Sequence, residues 1–297
     1  MSIGVKELLH FGEMQLKEAG IGDAVRDSKT IYCHLMNIPE SRLLLEYQNR
    51  VPDNLSDRYF ELIGRRAAGE PLQYIAGYQE FMGFKIKVDR RVLIPRLDTE
   101  VLVEDAVSLI EEGSLRGEVI GAPIKNAEIL DLCCGSGAIG IAMAKLCTKA
   151  QVTCADISPE ALELAKENAE ANGVGKKMKF LQGNMFEAIK ERGRGATFDM
   201  IICNPPYIKR AEIENLQKEV KDWEPRTALD GGEDGLDFYR IIAEEAPKHL
   251  KKRGILMLEI GFDQGEAVKD LLDKKSDLRI AKCLKDLAGL DRIIFAR

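Results

Sequence analysis

The residues best equipped for chemistry are Asn204-Pro205-Pro206-Tyr207, which close an apolar run from Phe198 to Cys203. The run reads as a buried strand, and the two prolines end it because neither has an N–H for a sheet ladder. A residue before proline is pushed towards extended geometry, which holds Asn204 out at the strand's carboxyl end. In open α/β sheets that end is where ligands bind. A side-chain amide, the Pro205 carbonyl and the Tyr207 ring suit a planar –NH2 group, with two acceptors for its hydrogens and a ring for its face. Asn-Pro and Pro-Pro are also common turn dipeptides, so a plain strand-ending turn is the competing reading.

The elements before this stretch say what such a group would meet. From Ala127 the chain alternates strand and helix, the pattern of a parallel sheet with crossover helices. A strand Glu128–Cys133 contains Asp131 and leads through Gly135-Ser136-Gly137 into a helix Ala138–Leu146. A second strand, Gln151–Ala155, ends in Asp156, and a helix over Pro159–Asn172 follows. Strands over Met178–Gln182 and Phe198–Cys203 come next, then a helix Leu236–Leu250, a strand Gly254–Ile260 and a helix Gln264–Asp273. The closing strands, Leu278–Leu284 and Arg292–Ala296, have no helix between them and should be antiparallel.

Gly135-Ser136-Gly137-Ala138-Ile139-Gly140 matches G-x-G-x-x-G, with Asp156 lying 19 residues past Gly137. That spacing satisfies the dinucleotide fingerprint and would suggest NAD, although any nucleoside-binding βαβ unit needs a tight glycine turn and a ribose-binding acid. Asp131 inside the first strand and the Asn-Pro-Pro-Tyr ending, which has no task in hydride transfer, favour S-adenosylmethionine. The antiparallel final strand also suits a methyltransferase sheet.

Upstream, residues 1–76 read as an entirely helical bundle: one segment ending at Gly20, a helix Asp23–Met36, a short run capped by Ser41, and a last helix capped by Ser56. Residues 77–94 alternate around Gly83 as a β-hairpin linker, and residues 95–297 form the main domain. Asp98-Thr99 either cap the helix Val101–Glu111 or belong to a lid over the cofactor. Gly113–Asn126 reads as a surface loop. The fold class expected is α/β: a seven-stranded Rossmann-like domain with a small N-terminal helical bundle.

The net charge of −6 argues against duplex DNA as the main partner, since phosphate binding calls for a basic excess. The run Lys248, Lys251, Lys252, Arg253 reads as a helix end favoured by the dipole. Asp230–Gly235 lacks the ligand spacing of a calcium loop and reads as a solvated turn. The seven cysteines form no C-x-x-C pair and the three histidines are scattered, so no metal is expected and the thiols read as buried and reduced. The opening residues from Met1 show no signal peptide, and no apolar run is long enough to span a bilayer. A soluble, cytoplasmic, monomeric protein is expected.

Asn204-Pro205-Pro206-Tyr207 resembles the motif of enzymes that methylate amide or exocyclic amino nitrogens. Ile94-Pro95-Arg96-Leu97-Asp98-Thr99-Glu100 is similar to a segment of the PrmC/HemK family, the glutamine methyltransferases of peptide chain release factors. Gly69–Ile75, Trp223–Leu229 and Glu259–Gly265 resemble that family too, so the likeness runs from about Asp23 to the end. It implies S-adenosylmethionine bound by Asp131, Cys133, Cys134, Gly135, Ser136, Gly137, Asp156, Asn184, Met185 and Asn204. In that reading Asp156 holds the ribose, Gly135–Gly137 pass under the methionine part and Met185 lines the adenine. Asn204, Pro205, Pro206 and Tyr207 are the expected catalytic and substrate-binding residues. The implied substrate is the glutamine of a release factor's Gly-Gly-Gln tip, with the N-terminal bundle helping to dock it and no direct nucleic-acid contact. Three positions depart from the family: Cys133 stands for a glycine, Leu97 for a proline and Asn184 for an acid. The alternatives are an amino-methyltransferase acting on nucleic acid, an NAD-dependent oxidoreductase, and a cofactor-bound scaffold without activity.

Overall fold

The computed structural model describes residues 2–192, 196–275, 278, 280–286 and 288–297. Met1, with which the signal-peptide reading begins, and Arg279, in the expected closing strand, lie outside them.

The main sheet has seven strands: β1 (Glu128–Leu132), β2 (Gln151–Asp156), β3 (Met178–Gln182), β4 (Phe198–Cys203), β5 (Leu250–Glu259), β6 (Ile280–Lys285) and β7 (Asp291–Ala296). Their order across the sheet is β6-β7-β5-β4-β1-β2-β3. The pairs from β5 through β3 are parallel, and β7 runs antiparallel to both neighbours, as the missing crossover helix requires. Ile129, Leu130, Ile201, Ile202, Leu256 and Leu258 are wholly buried. Strands covered on both faces read as continuous apolar runs, which is why these were legible. The chain winds outward from β1 through β3 and then returns to β4 on the other side of β1. This reversal opens a crevice at the carboxyl ends of β1 and β4.

Crossing helices are α1 (Leu97–Glu111), α2 (Ala138–Leu146), α3 (Pro159–Ala171), α4 (Asp237–His249) and α5 (Gly265–Lys275). Four expectations need correction here. Helix α1 starts at Leu97 rather than Val101, and no side chain caps it, so Asp98 and Thr99 lie within its first turn. Strand β5 starts at Leu250, so Lys251, Lys252 and Arg253 belong to a strand and only Lys248 to a helix end. The stretch after Gly113 is not a plain loop, because Ser114–Leu115 pairs antiparallel with Glu118–Val119. A hairpin forms, Tyr78–Phe81 with Phe84–Lys87, turning at Met82-Gly83, but it is shorter than the expected 77–94, since residues 88–94 form no strand.

A second compact unit comprises the residues through Tyr78 together with Gln217–Trp223. Its α-helices are Val5–Glu18, Ala24–Met36, Leu43–Glu46, Asp53–Ala67, Leu72–Ala76 and, in the later segment, Lys218–Lys221. It is not entirely helical, since Ile3–Gly4 pairs antiparallel with Arg50–Val51. Neither expected cap exists. Ser41 lies inside a short 3-10 turn, Glu40–Arg42, and Ser56 sits in the first turn of a helix that starts at Asp53, its hydroxyl donating to the Asp53 carbonyl at 2.8 Å. Tyr59 anchors the core with its hydroxyl 2.8 Å from that of Ser28, and a Cβ at Gly12 would fall 2.1 Å from the Tyr59 oxygen. Arg66, buried, donates to Asp27 at 2.6 Å and to Glu219 of the Gln217–Trp223 segment at 2.7 Å. A buried guanidinium needs such carboxylates, because an unpaired charge costs several kcal/mol.

Candidate active site

At the end of β1 the backbone turns sharply, with Cys133, Gly135 and Gly137 at φ 59°, 52° and 78°. Left-handed geometry is ordinary for glycine and strained for a residue with a side chain, so Cys133 keeps the glycine conformation under tension. Gly140, the third glycine of the motif, does the packing expected of it. A Cβ there would lie 2.7 Å from the Cys154 sulfur and 3.0 Å from Asp131 Oδ2. The Gly140 N–H donates to that same oxygen at 2.8 Å, tying α2 to β1.

Asp156, at the end of β2, accepts the Gly135 N–H at 2.8 Å on Oδ2 and the Ser158 N–H at 2.9 Å on Oδ1. Burial raises its carboxyl above the usual range against those bonds. Each oxygen keeps a second lone pair, which suits a sugar diol. Ser158 caps α3 by accepting the Ala161 N–H, and Pro159 fills the first helical position.

These turns bound a cavity of about 510 Å³ at the carboxyl end of the sheet. Cys133, Gly135, Asp156, Asn184, Met185, Asn204 and Pro206 line it, together with Leu132, Ala155 and Ile157. Four expected cofactor residues do not: Asp131, Cys134, Ser136 and Gly137 lie behind the turn. Asp131 is wholly buried and acts on Gly140, and its Oδ1 has no partner. Cys134 and Ser136 are buried, and the Ser136 carbonyl accepts from Asn168. Gly137 packs on Ala165, whose Cβ a Cβ at Gly137 would meet at a tight 3.0 Å. Pro205 and Tyr207 also stand off the cavity wall. An acid at a glycine turn, with an apolar slot beside it, fits the ribose and base of S-adenosylmethionine.

Asn204 is held by a chain of side chains. Its Nδ2 donates to Thr99 Oγ1 at 3.2 Å, and the Thr99 hydroxyl donates to Glu259 Oε2 at 2.7 Å. The Tyr207 hydroxyl reaches Glu259 Oε1 at 3.4 Å, and Tyr239 donates to the Glu259 carbonyl at 2.9 Å. Among the described residues no donor is bonded to Asn204 Oδ1 or to the Pro205 carbonyl. Glu224 accepts the Ile94 N–H at 3.2 Å and pairs with Arg96, fixing the approach to α1 and so the place of Thr99. Thr99 is therefore not a cap: its hydroxyl is engaged by Glu259 and Asn204.

Asp230–Gly235 is solvated as expected at Glu233 and Asp234, but its buried glycines also buttress the motif. The Gly231 N–H donates to the Ile208 carbonyl, Gln264 bridges the Tyr207 and Gly235 carbonyls, and a Cβ at Gly235 would come within 2.5 Å of the Tyr207 oxygen. No site role for Glu259 or Gln264 follows from the sequence, and for Thr99 the sequence offered a cap or a lid rather than a hydrogen bond behind Asn204. The available signal was their place inside the segments that resemble the PrmC/HemK family.

Comparison with known proteins points the same way. Residues 7–77 match the family model of the PrmC N-terminal domain, and residues 118–221 match that of the methyltransferase small domain. The release factor glutamine methyltransferase of Thermodesulfovibrio yellowstonii is 40% identical over 270 residues, 91% of each chain. That of Clostridium acetobutylicum is 36% identical over 292 residues, 98% of each chain. That of Aquifex aeolicus is 37% identical over 295 residues, covering 99% of this chain and 96% of the relative. Among solved structures, a methyltransferase from Pyrococcus furiosus shares the fold with a TM-score of 0.51 at 18% identity, over 81% of this chain and 97% of that one.

Proposed function

The chain belongs to the family of release factor glutamine methyltransferases, and from that premise we propose that it methylates the side-chain amide nitrogen of the glutamine in a release factor's Gly-Gly-Gln motif. S-adenosylmethionine supplies an activated methyl on a sulfonium. The chain has to handle the nucleophile, an amide nitrogen whose lone pair is delocalised into its carbonyl. Asn204 Oδ1 and the Pro205 carbonyl accept the two N–H bonds of the glutamine, which orients the nitrogen and stabilises the positive charge it gains. Pro206 keeps the loop stiff, and Tyr207 is the ring for the amide plane. Once alkylated, the nitrogen carries an acidic proton, so no dedicated base is needed before attack. Asp156 accepts the ribose hydroxyls, and Cys133 and Met185 wall the base.

The observation that carries this reading is the tethering of Asn204 by its nitrogen, which leaves the oxygen end for the substrate. An amino-methyltransferase acting on nucleic acid would use the same motif, but the net charge of −6 supports a protein substrate. We further take the N-terminal helical unit as the docking module and the protein as a cytoplasmic monomer. No helix among the described residues is long and apolar enough to cross a membrane.

The test is transfer of labelled methyl to a purified release factor, beside a version with its Gly-Gly-Gln glutamine changed to alanine and beside an Asn204→Ala enzyme. Label on the intact factor, lost with either substitution, supports the assignment. Label on RNA or DNA instead overturns it.

A further inference from the structure

We propose that Thr99 and Glu259 are positioning residues that decide which end of the Asn204 amide faces the substrate, the direction being imposed by the Glu259 carboxylate through the single proton of the Thr99 hydroxyl. The inference rests on the glutamine-methylating reading of the site and explains how that site selects an N–H donor.

The two ends of an asparagine amide have nearly the same shape, so packing alone does not choose between them. Hydrogen bonding does. A carboxylate only accepts, and at 2.7 Å Glu259 Oε2 takes the Thr99 proton. The Thr99 oxygen is then left with lone pairs, and only the nitrogen end of Asn204 can meet it, as it does at 3.2 Å. The oxygen end is thereby turned to the cavity. Both relay members are buried: Thr99 is 4% exposed and Glu259 1%. Their elements converge on the motif, since β5 pairs with β4 through Cys203 opposite Leu258, one residue before Asn204 and Glu259 respectively.

Protonation of Glu259 would reverse the chain. Its O–H would donate to Thr99, and the Thr99 proton would turn towards Asn204, which would then present its oxygen to Thr99 and its NH2 to the cavity. The Asn204 NH2 would then face the substrate N–H that Oδ1 is to accept, a donor against a donor, and the Pro205 carbonyl alone would hold the substrate amide. The groups facing Glu259 are the Tyr207 hydroxyl, Arg292 on β7, Tyr239 on α4, and Asp98 on α1. Arg292 is shared with Asp98 at 3.5 Å and Asp286 at 3.1 Å. Burial pushes the Glu259 carboxyl up to about 7; the Thr99 hydroxyl and Arg292 pull it down, Asp98 pushes it up again, and Tyr207 pulls it down. The folded-state value is raised, so the ionised, productive relay prevails above it and is lost as pH falls through it.

The experiment measures single-turnover methyl transfer to a full-length release factor at saturating cofactor across about pH 6–9. It uses the parent enzyme, Thr99→Val, Thr99→Ser and Glu259→Gln, with S-adenosylhomocysteine affinity measured on each by calorimetry. The parent rate should climb through about pH 7 to a plateau. Thr99→Val should lose about tenfold to a hundredfold in rate with cofactor affinity unchanged, and its pH step should vanish. Thr99→Ser should restore both rate and step. In Glu259→Gln, which does not titrate, the pH step should vanish whichever end of the new amide meets Thr99. A Thr99→Val enzyme at the parent rate, or a step that survives in Glu259→Gln, overturns the relay alone. If either variant misfolds and fails to bind S-adenosylhomocysteine, Thr99→Ser decides: a parent-like rate and pH step supports the relay, and a lost step overturns it. A parent enzyme that labels no release factor at any pH overturns the substrate reading, and the relay with it.

Discussion

The thiol of Cys133 and the thioether of Met185 meet 3.5 Å apart on the wall of the cofactor cavity, and each stands on a left-handed backbone, φ 59° and 49°. The family resemblance leads one to expect glycine at the first position, and the turn here holds that left-handed shape with a side chain in place. Cys133→Gly should change stability by no more than about 1 kcal/mol, since relief of strain offsets the entropy glycine loses on folding. Cys133→Val, branched at Cβ, should lose about 1–3 kcal/mol. Urea unfolding separates the two, and a valine variant as stable as the parent would refute the strain.

Gly140 has no room for a methyl group beside Cys154, Asp131 and Met178. Gly140→Ala should destabilise the fold by about 1–3 kcal/mol through overpacking. It should also weaken S-adenosylhomocysteine binding, because displacing α2 moves the turn that forms the cavity floor. An unchanged unfolding midpoint would show that the helix has slack.

Asp156 uses one lone pair on each oxygen for the turn and offers the others to the ribose. Asp156→Asn removes the charge and one acceptor at nearly constant shape. Binding of S-adenosylhomocysteine should weaken by about tenfold or more, since hydrogen bonds to a charged acceptor are the stronger kind. Calorimetric titration at neutral pH measures it, and parent-like affinity would place the ribose elsewhere.

Asp131 and Glu259 are both pushed up to about 7 by burial, from the ordinary carboxyl range near 4 that they would have unfolded. Between about pH 4 and 7 the folded protein therefore holds protons that the unfolded chain has released. Folding stability from these groups falls as pH rises through that window and levels off above it. Asp131→Asn keeps an acceptor for the Gly140 N–H and deletes one titration, so its urea midpoint should fall less between pH 5 and pH 8 than the parent's. Identical slopes would mean that Asp131 does not titrate there.

Much of the sheet was legible because its strands are apolar throughout and punctuated by glycine, proline and Asx turns. Met178–Gln182 and Ala138–Leu146 appear with the expected limits. The pairing of Ile3–Gly4 with Arg50–Val51 was not legible, because a two-residue strand has no periodicity to show. Ser56 misled as a cap because Pro52, one residue before the helix, was the better punctuation. At the site, motif and spacing point to Asn204 and Asp156 and the family resemblance to Met185, and all three line the cavity. The backward-facing Asp131, Cys134, Ser136 and Gly137 could not be told from wall residues, since facing is decided by the turn's φ angles. Thr99 and Glu259 lie 160 residues apart in the chain, and only the folded sheet brings a hydroxyl and a carboxylate to the back of Asn204.

Arg66 takes one carboxylate from Asp27, made early, and another from Glu219, made after the Asn-Pro-Pro-Tyr strand. During synthesis the N-terminal helices leave the ribosome first, yet the segment that completes their charge pairing follows only once four strands of the catalytic sheet exist. A nascent chain halted before Gln217 would hold a helical unit still short of one partner. The unit that would greet a release factor thus reaches its finished form only after the residues that would modify it have been translated.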